Sequence, residues 1–349
     1  GHQVRIIDSL EPPVHPQRVK PAYIPEEVEF IQGNVGDKEK MEKALSGVDI
    51  VFHLAAYQDY LTNFSRFALV NDVGTALLYE LIINEHLPIQ KVILGSSQAV
   101  YGEGKYECHT HGTQYSPPRP LHQLLKKDWE VKCFLCHQSM KPQLSDESRV
   151  NPHNQYAISK YCQELYALNL GKRYNIPTVA LRYSITQGPR QSFFNAYSGI
   201  LRIFSLRLLN DQPPIVYEDG QQLRDYGYVG DVARANLLAM EQEATDYQVF
   251  AVGGNKAISV LEYAKILINL VGKDIEPELL GEFRWGDVRH IISDSSKLRS
   301  LGWEASTPIE QIAKEYLNWI QDQPRVLDYY AEAAQVMRQM GVIRAAQKG

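Results

Sequence analysis

The feature that most restricts the fold is a recurring alternation, in which each short apolar run is followed by a stretch with helical period. VRIIDSL at residues 4–10 leads through a Pro-rich loop to VEFIQGNV, to the helix-like DKEKMEKALSGV and to the strand-like DIVFHLAA. An amphipathic stretch at 64–85 runs into KVILGSS, residues 155–174 (QYAISKYCQELYALNLGKRY) repeat the helical period, and PTVALRY is a further strand. Connections of that length suit crossovers between parallel strands, so the pattern predicts an α/β fold with a doubly wound parallel sheet and helices on both faces. Beyond about residue 190 the strands and helices shorten (PPIVYEDG, YQVFAVGG, SVLEYAKILINLVG). This divides the chain into a first lobe at 1–190, with an insertion at about 103–150, and a smaller second lobe at 191–349. VFAVGG is placed to return to the first lobe.

Composition narrows the partners. The chain has 349 residues, is 44% hydrophobic and 22% charged, and is therefore an ordinary globular protein with a sizeable core. A net charge of −5 without any Lys/Arg run interleaved with aromatics argues against nucleic acid and leaves a small molecule as the expected ligand. No apolar stretch approaches the roughly 18 residues of a membrane span, and the N-terminus lacks a signal-peptide layout. The expectation is a cytoplasmic protein without a membrane partner.

Tyr156-Ala-Ile-Ser-Lys160 falls on a predicted helix, and Ser97 ends the strand KVILGSS. Four residues make about one helical turn, so the phenol and the ammonium share a face. A tyrosine with an ordinary pKa near 10 is a poor base at neutral pH, but an adjacent Lys⁺ favours the phenolate. Tyr156 then becomes a general base, with Ser97 bonded to the same substrate oxygen. Asp8, ending the first visible strand, is placed as the acid that takes hydrogen bonds from an adenosine ribose in a dinucleotide fold.

These residues have company. HLAA, the stretch Asn71-Asp72-Val73-Gly74-Thr75, SSQAVYGEG, NQYAISKY, LRY, GPRQS, GQQLRDYGYVGDVARA and LGW follow one another in an order that resembles the extended short-chain dehydrogenase/reductase family, with its nucleotide-sugar epimerases and dehydratases. The resemblance covers residues 1 to about 320. It implies a Rossmann-like fold, bound NAD, and Ser97, Tyr156 and Lys160 as the catalytic set. Asn34 (where the family usually has Asp), Val35, Leu54, Ala55, Ala56, Asn71 and Tyr183 are implied beside NAD, together with Asp8. Arg224 and Arg289 are implied as clamps on a sugar diphosphate, with Gln98, Asn195 and Tyr217 also lining the substrate. The resemblance further implies a homodimer formed through the helices at 64–85 and 155–174.

The reaction follows from a substitution. Dehydratases of this family carry an Asp-Glu pair after the catalytic Ser/Thr, whereas this chain has Gln98-Ala99, and alanine cannot move a proton. What remains is NAD-dependent epimerisation at C4 of a nucleotide-diphosphate sugar through a 4-keto intermediate. Ile185 stands where the family commonly has a polar Asn, which suits a deoxy sugar. The branch acting on dTDP-L-rhamnose looks most similar. A dehydratase, a UDP-sugar decarboxylase and a catalytically silent scaffold are the alternatives.

Between Ser97 and Tyr156 lie 58 residues, holding Cys108-x-x-His111 and Cys133-x-x-Cys136. Two short-spaced pairs make a four-ligand set, and a Cys₃His set is a closed structural zinc site. His109 or His137 could replace His111. Because the insertion leaves the catalytic strand and returns at the catalytic helix, a zinc ribbon here is expected to form part of a lid over the sugar. GHQVRIIDSL reads as the end of a first helix and a second strand. The first strand and its Gly-rich turn are thus expected to lie outside this sequence, and this chain alone to bind NAD poorly and fold poorly.

Overall fold

A computed structural model describes residues 1–347 apart from Ala196, Ser198 and Arg325. Four parallel strands form the central sheet, in the spatial order Gln248–Val252, Thr178–Tyr183, Lys91–Ser97, Ile50–His53. The two inner strands are buried along almost their whole length, as strands covered on both faces must be. Side chains alternate between the faces. Val92, Leu94 and Ala180 pack with Leu78, Tyr79, Ile82 and Ala167 from the helices Gly74–Asn84 and Gln155–Tyr174. Ile93, Val179 and Leu181 pack on the opposite side with Val232, Ala235 and Ala239 of the helix Val229–Glu241. Each buried leucine or isoleucine contributes about 1.5–3 kcal/mol, so this three-layer sandwich holds the first lobe together.

Two further parallel strands, Arg5–Asp8 and Glu29–Gln32, pair with each other and form a separate sheet. The expected single sheet is therefore seen as a pair and a quartet. On the edge strand Ile50–His53, Phe52 remains 39% exposed. The late strand Gln248–Val252 does return to the first lobe, pairing with Thr178–Tyr183 along its full length.

In the second lobe, Leu223–Tyr228 pairs in parallel with Ile185–Gln187 and antiparallel with Ala257–Ser259. Its core joins the helices Ile200–Leu209, Val260–Val271, Ile309–Gln321 and Tyr330–Gln339 through Phe204, Leu206, Tyr263, Leu267, Tyr316 and Met337. The insertion forms a three-stranded antiparallel sheet, with Lys105–Cys108 flanked by Gly112–Tyr115 and Lys141–Gln143.

One sequence expectation needs correction. Phe64–Asn84 is a continuous helical run of 21 residues, long and apolar enough by composition to cross a membrane. The residue-by-residue reading missed this because the Asn71-Asp72 pair interrupts the apolar run. Its buried side supplies Phe67, Leu78, Tyr79, Leu81 and Ile82 to the core, which accounts for much of its apolar content.

Candidate active site

A cavity of about 660 Å³ opens at the C-terminal ends of Lys91–Ser97 and Thr178–Tyr183, between the two lobes. That end of a parallel sheet is where such folds bind ligands. Ser97, the last residue of its strand, accepts a hydrogen bond from the Ala99 amide at 3.1 Å. Tyr156 enters from the first turn of Gln155–Tyr174, which Asn154 caps by accepting from the Ala157 amide at 2.8 Å. Its phenol is close enough to Ser97 to be influenced by it, and both residues line the cavity.

Burial pushes the Tyr156 phenol up to about 12, and the Ser97 contact pulls the other way. Lys160 is buried one turn on and donates to the Gly95 carbonyl at 2.7 Å and to Gln163 Oε1 at 2.8 Å. Burial brings its ammonium down to about 7 against the attraction of Glu164. Ser97 favours the phenolate, and Lys160 stands one helical turn from it.

Behind Lys160 lies a network that sequence reasoning missed. Gln163 Nε2 donates to Thr75 Oγ1 at 2.8 Å, and Thr75 donates to the Asn71 carbonyl at 2.7 Å. His53 Nε2 lies 2.8 Å from the same Thr75 oxygen. Since the Thr75 proton is already committed, His53 must donate, which fixes its Nε2–H tautomer. Burial and the neighbouring Lys160 charge lower its pKa to about 3, so it stays neutral. The available signal was Gln163, three residues after Lys160 on the same helical face.

Asn71 was expected beside the cofactor, but it is fully buried and committed elsewhere. Its amide donates to Ser159 Oγ and to the Tyr57 carbonyl, and its oxygen accepts from the Tyr57 amide. A π-helical segment, Ala68–Val73, turns it inward to tie the loop after Ile50–His53 to the catalytic helix. Asp8 ends its strand and accepts from the Leu10 amide, Asn34 closes its own turn on Gly36, and Val35 packs into the core. Leu54, Ala55 and Ala56 follow Ile50–His53, with Leu54 exposed. Asp8, Asn34, Val35, Leu54, Ala55 and Ala56 do not line the cavity. Tyr183 does, and donates to Asn236 at 2.8 Å.

On the substrate side, Gln98, Tyr217 and Arg224 line the cavity as expected. The Arg224 guanidinium donates to the carbonyls of Leu223, Val288 and Arg289, so its partners do not offset its charge. Arg289 is different. It is fully buried, with its guanidinium held by Glu130, Glu218 and Asp219 at 2.6–2.9 Å, and it does not line the cavity. Three carboxylates leave it nothing for a diphosphate, which corrects the sequence expectation. Five residues earlier, Arg284 lines the cavity between the rings of Tyr60 and Tyr217, 4.9 and 5.0 Å from their centroids, and its Nε is buried without a hydrogen-bond partner among the described residues. Asn195 also departs from expectation, since its Oδ1 accepts from the Tyr197 amide and it does not line the cavity.

In the insertion, the ligand atoms of Cys108, His111, Cys133 and Cys136 lie within 4.8 Å of one another. His111, and neither His109 nor His137, completes the group. Cys108 Sγ is 3.7 Å from Cys136 Sγ and 3.6 Å from His111 Nδ1, and Cys133 Sγ is 3.4 Å from that nitrogen. A tetrahedral zinc with bonds of about 2.3 Å to sulfur and 2.0 Å to nitrogen spaces its ligands by about 3.5–3.8 Å, whereas a disulfide needs about 2.05 Å. The cluster therefore has metal-site spacing.

With this geometry established, comparison with known proteins is decisive. A family model described as the NAD dependent epimerase/dehydratase family matches residues 1–123 and 137–253. The chain belongs to that family. A dTDP-L-rhamnose 4-epimerase of Burkholderia thailandensis is 34% identical over 324 residues, covering 90% of this chain and 87% of that protein. The structure of a UDP-glucose 4-epimerase of Thermotoga maritima, with UDP-glucose, superposes with a TM-score of 0.74 at 29% identity, covering 92% of this chain and 91% of that one. A UDP-N-acetylglucosamine 4-epimerase of Methanobrevibacter ruminantium, in complex with UDP-N-acetylmuramic acid, gives 0.72 at 28% identity over 92% of this chain and 91% of its own. The extended family fold, Rossmann-like with a parallel sheet, is thereby shown. Residues 124–136, which include Glu130, Cys133 and Cys136, fall outside the matched segments.

Proposed function

We propose that this protein is an NAD-dependent 4-epimerase of a nucleoside-diphosphate sugar, with dTDP-L-rhamnose or a related 6-deoxyhexose as substrate. The observation that carries the reading is Ser97 and Tyr156 together on the cavity wall, with Gln98-Ala99 in place of an acid pair. The donor set suits the cofactor. Two of the three Lys160 protons are engaged, leaving one for a ribose hydroxyl, and Asp8 supplies an acid at a strand end. Bound NAD would supply the hydride acceptor and donor. Tyr156 takes the C4 hydroxyl proton and returns it, while Ser97 holds the same oxygen. Arg224 and Arg284 face the cavity with charge suited to a diphosphate. Ile185, also on the cavity wall, suits a sugar without a 6-hydroxyl.

The same reading includes a closed structural zinc at Cys108, His111, Cys133 and Cys136, a reducing compartment such as the cytoplasm to keep these thiols free, and a homodimer. The dimer is supported by exposed apolar side chains on two adjacent helical runs: Leu69 and Val73 on one, Ile158, Leu165 and Tyr166 on the other.

The test is incubation with dTDP-L-rhamnose and NAD⁺ in deuterium oxide, read by proton NMR. Inversion at C4 without deuterium at C5 is expected, and Tyr156→Phe should abolish it. Solvent label at C5, or release of CO₂ from a UDP-uronic acid, would reassign the reaction.

A further inference from the structure

The metal-type cluster and the substrate cavity are joined by two short routes. Both end on residues 287–291, the stretch whose carbonyls hold Arg224.

The first route starts at Cys133. Three residues before it, Glu130 puts Oε1 2.6 Å from Arg289 Nη2 and Oε2 3.2 Å from His290 Nε2. Val131, between them, is buried in one small core with Cys108, Cys133 and Met140. The second route starts at Cys108. Two residues before it, fully buried Tyr106 accepts a hydrogen bond from the His290 amide at 3.2 Å. Both cysteines are thus a few residues from groups that grip Arg289 and His290. From there the path to the ligand is direct, because the carbonyls of Val288 and Arg289 accept from Arg224 at 2.6 and 2.8 Å, and Asp287, Val288 and Arg224 line the cavity.

The insertion is also anchored away from the cluster, where Arg119 donates to the Asp287 carbonyl at 3.0 Å, Glu103 accepts from the Arg289 amide at 2.8 Å, and Leu124 and Trp129 pack with Phe283, so what the metal adds is the placement of Glu130 and Tyr106. The core around the cysteines consists of Tyr106, Cys108, Val131, Cys133 and Met140, with Cys136 packed against them. Half of that core is the cysteines themselves. So small a cluster cannot stabilise a fold by area alone, and domains of that kind rely on metal. Both knuckles are also built alike, with the residue after the second ligand of each in the left-handed region: Gly112 at φ 68° and His137 at φ 59°.

We infer that a zinc-type divalent ion held by Cys108, His111, Cys133 and Cys136 seats Glu130 and Tyr106 against residues 287–291, and thereby sets the affinity of the cavity for a nucleoside diphosphate. Glu130 is a positioning residue that acts through Arg289 and Arg224. The affinity half of the inference rests on the nucleotide-sugar reading, whereas the metal and ordering halves do not.

The experiment uses the full chain as purified, chelated and reloaded. Metal analysis is expected to give one zinc per chain. Cobalt substitution should give thiolate charge-transfer and tetrahedral d–d bands that Cys136→Ser removes. Amide exchange followed by mass spectrometry should show residues 287–291 losing protection on metal removal. Affinity for dTDP should fall on the order of tenfold, the scale of mutations along a coupling route. Glu130→Gln, which leaves every ligand in place, should keep the cobalt spectrum and still show both losses.

Sub-stoichiometric zinc with no cobalt bands would overturn the metal site. Unchanged protection at 287–291 in the metal-free protein and in metal-loaded Glu130→Gln would overturn the coupling. If the loaded wild type binds no dTDP, the nucleotide-sugar reading falls, and the exchange data alone decide whether metal orders the loop.

Discussion

Two arginines in the short run FRWGDVRH have opposite fates. Arg284 faces the cavity between two tyrosine rings, whereas Arg289 is walled in by carboxylates. Arg284→Ala should raise KM on the order of tenfold with kcat nearly intact, because it removes binding shared by ground and transition states. Arg289→Ala should lower stability in denaturant unfolding by about 1–3 kcal/mol, since Glu218 keeps Arg119 as a partner while Asp219 and Glu130 lose theirs. The reverse pattern would restore Arg289 as the diphosphate clamp. His53 gives a pH signature at the same scale. Its folded pKa of about 3 lies below the unfolded value of 6.5, so between those limits the unfolded chain binds more protons. Stability should be fully present above about pH 6.5 and fall as pH drops toward 3. His53→Gln should flatten that part of the curve, which urea midpoints at several pH values can check.

At the scale of elements, the catalytic tyrosine depends on how its helix begins. Asn154 satisfies the Ala157 amide in the turn that carries Tyr156, so Asn154→Ala should cost about 1 kcal/mol and also lower kcat, while the more distant Asn175, which closes the same helix, should affect stability alone. Strand identities were legible because VIL and VAL head short apolar runs, and the helix at 155–174 because it opens on an Asn cap and runs twenty residues without a proline. The inward turn of Asn71 was not legible, because a π-helical segment shifts the register of a helix without any marker in composition. Nor was the C-terminal contribution. Strand Ile343–Ala345 pairs antiparallel with Glu282–Arg284, which brings Val342 and Arg344, with Tyr330 from the preceding helix, to the cavity wall. Such a contact links residues some 60 positions apart, and no local pattern announces it.

Across the whole molecule, the site was legible wherever a residue's role depends on its own element. Ser97, Tyr156 and Lys160 each sit at a strand end or on one helical face. It was not legible where roles depend on which distant groups meet, as with Arg289, whose partner Glu130 belongs to the insertion. Assembly sits between these cases. On Gln155–Tyr174, Ile158, Leu165 and Tyr166 are exposed and spaced seven and eight residues apart, so they share one face. Leu69 and Val73, four apart on the adjacent run, are exposed as well. Scattered exposed apolar residues are ordinary, but a contiguous stripe across two packed helices is the kind of surface that a second copy covers by isologous contact. Light scattering should therefore report a dimer. Leu165→Glu places a charge on that stripe about two and a half helical turns from Tyr156, and should give a monomer with its far-UV spectrum intact. A wild type that stays monomeric at micromolar concentration, or a Leu165→Glu variant that still dimerises, would assign the stripe to something other than self-association.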